Sequence, residues 1–164
     1  MDTTHIPEIR EGEETLDFAP AQDASVTFIG RIRSPWGPGN CPRNIAGARE
    51  DGRGATIELA PGYVRGLGGL AVGQGLLVLY WMNHARRDLI VQAPGHVSAP
   101  RGTFALRSPN RPNPITLSAV TITAIDAAAG RVEIDAIDCF DGTPVVDLKP
   151  WLPGIDIPAG AAIP

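Results

Sequence analysis

Short apolar runs recur along the whole chain, and clusters of glycine and proline separate them. The 164 residues include 19 glycines and 16 prolines, which interrupt helices and favour turns. No stretch has the spacing of a convincing amphipathic helix, whereas several runs alternate apolar and polar residues as strands do. Short strands at regular spacing predict an all-β fold, a barrel or a sandwich with long loops and little helix.

The predicted strands lie in seven segments of the chain. They are Ser25–Trp36, Ala55–Leu67, Gly75–Asn83, Gly102–Ser108, Ile115–Ile125, Gly130–Phe140 and Asp141–Trp151. The second segment combines a short strand with about one helical turn. Two long loops are also predicted, Gly37–Gly54 and His84–Pro100, the latter with a short apolar run at its centre. Long loops in small domains are often functional or disordered.

The ends of the chain differ in composition from its middle. Residues 1–24 are predicted to be an acidic disordered tail, residues 25–152 the all-β domain, and residues 153–164 a Pro/Gly-rich tail. No run of about 18 apolar residues is present, so no membrane-spanning helix is predicted. The N-terminus lacks the apolar stretch of a secretory signal, and Cys41 and Cys139 are far apart in sequence. We therefore expect free thiols and a cytoplasmic protein.

Charge is unevenly distributed along the chain. Residues 1–23 carry seven acids and one arginine, residues 24–111 carry eleven arginines and four acids, and the remainder is acidic again. Arginine suits forked contacts to phosphate or carboxylate and stacks on rings. The basic centre therefore predicts an anionic partner, although a solvated ion pair is the alternative for any single arginine.

The segment Arg107–Pro114, called here the proline segment, has two arginines, two asparagines and three prolines in eight residues. Prolines fix φ and disfavour the helical conformation of the preceding residue, so the segment should be stiff and extended. Rigidity reduces the entropy lost on binding. Two interpretations stay open: a binding segment that presents its polar side chains, or a structural corner between two strands.

A second polar constellation surrounds the turn Asp141–Pro144, called here the Asp-Gly turn. Asp138 precedes it, and Asp147 and Lys149 follow it. Asp-Gly favours a tight turn, so solvated carboxylates on a hairpin are one interpretation. The other is a turn that binds a flat heterocycle with a carboxylate nearby. The acids do not match a calcium-binding loop, and no metal site is predicted.

Four motifs together resemble one known family. "FIGRIRSPW", "CPRN", "LRSPNRPNPITLS" and "IDCFDGTPVVDLKPW" are similar to the TsaA-like, tRNA-methyltransferase O family, between Phe28 and Trp151. The resemblance implies a small β-barrel, usually a homodimer, that binds S-adenosyl-L-methionine. It also implies a tRNA substrate, methylated on N6 of the threonylcarbamoyl-adenosine that follows the anticodon.

The resemblance also implies which residues form the site. The cofactor-binding residues would be Pro42, Arg43, Asn44, Asn83, His84, Arg107, Leu117, Asp141, Gly142, Thr143 and Pro144. The substrate-binding residues would be Asn110, Arg111 and Lys149. Asn83-His84 stands where the family often has His-Gln. Arg31, Arg33, Arg86 and Arg87 are further candidates for contacts with tRNA phosphates.

Methylation of an exocyclic N6 constrains the catalytic residues, because the nitrogen lone pair is delocalised into the ring. A hydrogen-bond acceptor on the N6 proton would localise that pair. Asn113 is the candidate acceptor, and a structural amide that caps the turn is the competing interpretation. His84 is a second candidate, as a proton acceptor. Arg43 or Arg107 would pair with the cofactor's carboxylate.

Two other functions stay open. Family members studied as tRNA enzymes often continue beyond the KP[YW] motif, whereas this chain ends thirteen residues after Trp151. The first alternative is therefore a methyltransferase with the same barrel and a smaller substrate. The second is a non-catalytic module that binds S-adenosylmethionine.

Overall fold

The structure, a computed structural model, describes residues 8–18 and 22–162. The strands in these residues are β1 (Glu14–Thr15), β2 (Gly30–Arg33), β3 (Ala55–Leu59), β4 (Gly75–Trp81), β5 (Leu89–Gln92), β6 (Arg101–Gly102), β7 (Ile115–Asp126), β8 (Arg131–Ile134) and β9 (Pro144–Pro150). The helices are α1 (Ile45–Asp51), α2 (Pro153–Asp156) and the 3₁₀-helices Pro61–Leu67 and Thr103–Ala105.

Six of the strands close into an antiparallel barrel in the order β2-β3-β8-β7-β4-β9, and β9 pairs back onto β2. The other three form a separate antiparallel sheet in the order β1-β5-β6. Closure removes the exposed edges that an open sheet of these strands would have. The prediction of an all-β fold with a small barrel and little helix is confirmed.

The barrel interior is filled by alternate residues of each strand. In β4, Leu76, Val78 and Tyr80 are fully buried, while Leu77, Leu79 and Trp81 face outward and are only partly covered. This alternation is invisible in the sequence because both faces of β4 are apolar. Each fully buried Leu or Val stabilises the fold by roughly 1.5–3 kcal/mol.

The strand register brings two distant segments to the end of β4. Trp81 lies opposite Ile115 at the start of β7, and Tyr80 lies opposite Val145 near the start of β9. The proline segment leads into β7 and the Asp-Gly turn leads into β9. Because adjacent strands are about 4.8 Å apart, the two segments lie one strand apart, on either side of the end of β4.

The predicted loop Gly37–Gly54 contains helix α1, so the loop prediction is wrong there. Asn44 caps the helix, because its side-chain oxygen accepts a hydrogen bond from the Gly47 amide at 3.0 Å. Gly52 ends the helix in the left-handed conformation, with φ of 75°. Seven residues are too few to show a helical period, but Asn before the helix and Gly after it were usable end signals.

The strand predicted over Gly102–Ser108 is also largely absent. Of this stretch, Gly102 alone belongs to a strand, β6, and a 3₁₀-helix follows over Thr103–Ala105. The guanidinium of Arg111 donates hydrogen bonds to the carbonyl groups of Thr103 and Leu106. In a strand, these carbonyl groups would accept hydrogen bonds from a neighbouring strand. The apolar run in the loop His84–Pro100 forms strand β5.

Part of the predicted disordered tail is structured. Glu14–Thr15 forms strand β1 on the edge of β5, with Glu14 opposite Val91. The division into two tails and one domain stays a prediction, and residues 1–7, 19–21 and 163–164 lie outside the described residues. Among the described helices, none is long and apolar enough to cross a membrane.

Gly30 is expected to tolerate no side chain. A Cβ there would overlap the carbonyl oxygen of Glu58 and lie 2.9 Å from the Leu59 Cα, so β2 and β3 would have to separate. Gly30→Ala should lower the free energy of unfolding by about 2 kcal/mol, as overpacked sites do. The matched control is Gly62→Ala, where an added Cβ meets nothing within 4 Å. Urea unfolding measures both variants, and equal stabilities would contradict the prediction.

Candidate functional site

Three polar segments meet at the end of β4. The Met82 amide donates to the Pro114 carbonyl at 2.9 Å, which joins the strand end to the proline segment. The rings of His84 and Phe140 lie 6.5 Å apart between centroids, which places His84 beside the residue that precedes the Asp-Gly turn. Asn83 and His84 share a side-chain hydrogen bond of 3.3 Å. These contacts place the end of β4, the proline segment and the approach to the Asp-Gly turn next to one another.

A cavity of about 400 Å³ opens beside the proline segment. It is called here the arginine-lined cavity, and it falls in the range of small-molecule pockets, roughly 300–1,000 Å³. Predicted site residues on its wall are Arg43, Asn44, Arg107 and Asn110. The lining also includes Arg86, Gln92, Glu8, Arg10 and Glu13, and none of these was predicted as a cofactor ligand.

The two predicted arginines on this wall differ in how they are held. Within the described residues, the Arg43 side chain makes no hydrogen bond or ion pair, and it is exposed. Arg107 donates one hydrogen bond, from Nη2 to the Leu117 carbonyl at 2.6 Å. Both guanidinium groups therefore keep donors for an anionic ligand. Asn44 lines the cavity but uses its side chain to cap α1.

The proline segment is braced from within by Arg111. Its guanidinium donates to the carbonyl groups of Ser108 at 2.8 Å, Thr103 at 3.2 Å and Leu106 at 2.5 Å. Most of its donors are thereby used inside the segment. Its predicted contact with a substrate is not favoured by this geometry, and its evident role is to hold the segment in shape.

Asn110 fixes the other side of the segment. Its side-chain oxygen accepts a hydrogen bond from the Arg86 amide at 3.0 Å, and its carbonyl accepts one from Gln92 at 2.6 Å. Gln92 is only 3% exposed. Asn110 therefore positions the segment against the three-stranded sheet while its surface contributes to the cavity wall.

Asn113 is the asparagine of the segment with a free side chain. Its carbonyl accepts the Ile115 amide at 2.7 Å, but its side-chain amide makes no hydrogen bond to any described residue. It is exposed, between two prolines that fix its backbone. The competing interpretation, a side chain that caps the turn, is therefore not supported.

The Asp-Gly turn is held mainly by contacts with residues at and just after the end of β2. Asp141 accepts a hydrogen bond from the Ser34 amide at 3.2 Å and lies 3.5 Å from the Arg33 guanidinium. Thr143 is buried and donates to the Phe140 carbonyl at 2.7 Å. Gly142 has φ of 80°, which favours glycine. Asp141–Pro144 does not line the arginine-lined cavity, so a ligand that touches both would have to reach beyond the cavity.

A buried polar network lies beneath this end of the barrel and was not predicted. The Tyr80 hydroxyl lies 3.0 Å from the Ser118 hydroxyl and donates to Asp138 at 3.2 Å. Burial, followed by the charge of Asp138, raises the pKa of Tyr80 far above its usual range, so the phenol stays protonated. The sequence signal for this network is Ser118, which lies at an inward-facing position of β7. Its orientation can be recognised only when the strand register is known.

The predicted site residues that do not line the cavity are Pro42, Asn83, His84, Arg111, Asn113, Leu117, Asp141–Pro144 and Lys149. Lys149 is opposite Leu77, near the start of β4, and pairs with Asp147 at 2.7 Å. It lines a different cavity, near the 3₁₀-helix Pro61–Leu67. Leu117 points outward from β7 and is 36% exposed. Contacts of Lys149 and Leu117 with a ligand in the arginine-lined cavity are not favoured by this geometry.

Most of the arginines predicted to contact phosphate already have partners within the protein. Arg33 pairs with Glu58 at 2.9 Å, and Arg86 pairs with Asp88 at 2.6 Å. Arg87 donates to the Pro112 carbonyl at 2.8 Å and stacks over Trp81. Arg31 has no ion pair among the described residues and lies exposed on β2.

Both cysteines are free, and both are expected to be unreactive. Burial raises the pKa of Cys41 to about 11 and that of Cys139 to about 12, with Asp138 adding to both shifts. At pH 8 roughly 0.1% of a thiol with pKa near 11 is ionised, against about a quarter for an ordinary cysteine. Alkylation by iodoacetamide at pH 8 should therefore be at least about 100-fold faster in urea-unfolded protein. Rapid labelling of the folded protein would contradict this.

The fold and the site define a small β-barrel domain with an arginine-lined, small-molecule-sized cavity near one end. The sequence places it more narrowly. The chain belongs to the family described as the tRNA-methyltransferase O N-terminal domain, which matches residues 31–157. The resemblance seen in the motifs is thereby confirmed.

The chain is also similar in sequence to individual proteins. The probable S-adenosyl-L-methionine-binding protein VirR of Rhizobium radiobacter is 33% identical over 147 residues, covering 89% of this chain and 81% of the relative. The tRNA (adenine(37)-N6)-methyltransferase of Mus musculus is 34% identical over 88 residues, covering 54% of this chain and 20% of the relative.

A solved structure has the same fold. The crystal structure of TrmO from Pseudomonas aeruginosa matches with a TM-score of 0.65 and 33% identity, covering 85% of this chain and 60% of that chain. This chain therefore spans less than two thirds of the solved protein. The activity of that longer protein is a proposal for this chain.

Proposed function

We propose that this protein is an S-adenosyl-L-methionine-dependent methyltransferase that acts on tRNA. Family membership supports the activity, and the names of the relatives from Rhizobium radiobacter and Mus musculus support the cofactor and the tRNA substrate. The observation that carries the proposal is the meeting of three motif segments at the end of β4, beside a cavity lined by Arg43 and Arg107.

The residues present fit the cofactor. Arg43 and Arg107 retain guanidinium donors toward the cavity, which suit a carboxylate. Arg43 would hold that carboxylate, with Pro42 and the capped helix α1 fixing its loop. Asn83, His84 and the Asp-Gly turn would bind the far end of the cofactor, since they lie together beside Phe140.

When bound, the cofactor supplies a methyl group on a positively charged sulfonium. The remaining task of the protein is to position the two reactants, which can lower a barrier by as much as about 7–11 kcal/mol. We assign the acceptor of the N6 proton to the side-chain oxygen of Asn113. A neutral amide is cheaper to desolvate than a carboxylate, and the flanking prolines hold it in place.

We further propose that the methylated nucleoside is the threonylcarbamoyl-adenosine that follows the anticodon, and that the protein acts as a cytoplasmic homodimer. An apolar strip on the outer face of the barrel supports a dimer, with Trp81 packed on Phe28 at 6.3 Å between ring centroids. Phe28 and Leu117 are 44% and 36% exposed in the single chain. Light scattering that gives a monomer mass would count against the dimer.

The function is tested with purified protein, isotope-labelled cofactor and two tRNA preparations, one with and one without the threonylcarbamoyl group. The proposal predicts label in one nucleoside of the modified tRNA only, by mass spectrometry. Label in both preparations would reject the nucleoside, and label in neither would reject the tRNA substrate. Cofactor affinity without transfer would favour the binding module, a possibility raised by relatives that are named for cofactor binding alone.

A further inference from the structure

Phe104 is the most exposed large apolar side chain among the described residues, at 79%. It lies on the 3₁₀-helix Thr103–Ala105, directly after β6. Single apolar side chains are common on protein surfaces, so exposure alone does not indicate a partner. Phe104 differs from such a residue in how its backbone is held and in the charge of the surrounding sequence.

The backbone on both sides of Phe104 is fixed by polar contacts. Thr103 is fully buried, and its hydroxyl accepts a hydrogen bond from the side chain of Gln92 at 2.8 Å. The Arg111 guanidinium donates to the carbonyl groups of Thr103 and Leu106. The Leu106 amide also donates to the Thr103 carbonyl, at 3.1 Å. A partner that binds the ring therefore does not have to order this segment, which reduces the entropy lost on binding.

The sequence around Phe104 is basic. Residues 89–125 contain three arginines and no acid. Arg101, three residues before Phe104, is exposed and makes no side-chain hydrogen bond or ion pair with any described residue. Arg107, three residues after it, is also exposed. Acids of residues 8–18 join the same sheet at its other edge, through β1. An exposed ring between two exposed arginines favours an anionic partner with flat groups.

The stretch that carries Phe104 also forms part of the arginine-lined cavity. Leu106 and Arg107 line it, and three residues of chain span at most about 11 Å. The cavity holds about 400 Å³, which suits a small molecule and leaves the bulk of a tRNA outside. A tRNA that reaches a ligand in the cavity would therefore lie on the surrounding surface, within reach of Phe104.

We propose that Phe104 stacks on an unpaired base of the tRNA loop that carries the reacting nucleoside, while Arg101 contacts a phosphate. This rests on the proposed function, which supplies the tRNA. Aromatic side chains stack on the splayed bases of RNA loops, and any base offers a face for such stacking. Contacts to phosphate then position the RNA backbone. A second copy of the chain would use the ring but not the two arginines, so RNA is the occupant that fits both features.

The affinity of the full chain for labelled tRNA that carries the threonylcarbamoyl group is measured by fluorescence anisotropy. Phe104→Ala should weaken binding by about 10-fold, the loss expected for one stacked base. Phe104→Tyr keeps the ring and should stay within about 2-fold, whereas Phe104→Leu is apolar without a ring and should lose most of the affinity. The matched control is Phe18→Ala, because Phe18 is 69% exposed and follows β1 at the other edge of the sheet.

The phosphate contact has its own signature in the same assay. Arg101→Ala should make the affinity less sensitive to salt, with the slope of log K against log salt reduced by about one contact. Phe104→Ala should leave that slope unchanged, because stacking releases no counterion. A slope that Arg101→Ala does not change would remove the phosphate contact from the proposal.

Several outcomes would overturn the stacking role. These are unchanged binding in Phe104→Ala, an equal loss in Phe18→Ala, and full affinity in Phe104→Leu. A lower mass of Phe104→Ala by light scattering would instead make the ring a contact between copies, and a loss of cofactor affinity by calorimetry would place it in the cofactor site. Wild-type protein that binds no tRNA would reject the tRNA substrate together with this proposal, whereas tight binding by wild type and Phe104→Ala alike would reject the stacking alone.

Discussion

Asn113→Ala is expected to slow methyl transfer by about 100-fold while cofactor affinity stays within about 2-fold of the wild type. The side-chain oxygen is proposed to accept the N6 proton, and loss of such an acceptor costs roughly 10²-fold or more. Nothing in the described fold depends on this amide, because it makes no hydrogen bond there and is exposed. Single-turnover rates at saturating cofactor and tRNA measure the effect.

The control is Asn113→Asp, which keeps an acceptor oxygen and removes the amide donors. It should recover most of the rate if acceptance is what matters. A collapse of cofactor affinity in Asn113→Ala would instead place Asn113 in the cofactor site, and an unchanged rate would remove it from the chemistry altogether.

Arg43→Ala is expected to weaken cofactor binding by about 50-fold. The guanidinium lines the cavity and has no ion pair among the described residues, so its proposed partner is the carboxylate of the ligand. A hydrogen bond to a charged group contributes about 1.5–3 kcal/mol, and a fork can make two. Calorimetric titration with the cofactor measures the loss.

Arg65→Ala is the matched control, because Arg65 is exposed on the 3₁₀-helix Pro61–Leu67 and does not line this cavity. It removes the same charge and should leave affinity within about 2-fold. Arg43→Lys should recover only part of the affinity, since an ammonium group lacks the fork. Equal losses in Arg43→Ala and Arg65→Ala would show that net charge, and not a contact, attracts the cofactor.

Much of the barrel could be predicted from the sequence because strands leave local signals. Alternation and turn residues indicated the segments that became β2, β3, β7, β8 and β9, and the motifs indicated the family. Helix α1 was missed because seven residues span only two turns. The region Gly102–Ser108 was misassigned because a distant arginine, Arg111, takes the carbonyl groups of that stretch.

The site was harder to predict because its residues are joined by register and by loops. That the proline segment and the Asp-Gly turn flank β4 follows from pairing, which no local pattern gives. Gln92 and Glu13 gave no motif, yet one is buried on the cavity wall and the other is fixed there by backbone amides. Arg111 belongs to a specific sequence motif and was predicted to contact the substrate, but its guanidinium stabilises the proline segment itself.

The most direct test of the central claim is a crystal structure of the protein with S-adenosylhomocysteine bound. The ligand's carboxylate is expected within hydrogen-bonding distance of Arg43 or Arg107, and its adenosine part beside His84 at the end of β4. A ligand found instead in the cavity near Lys149, at the opposite end of β4, would contradict the proposed site.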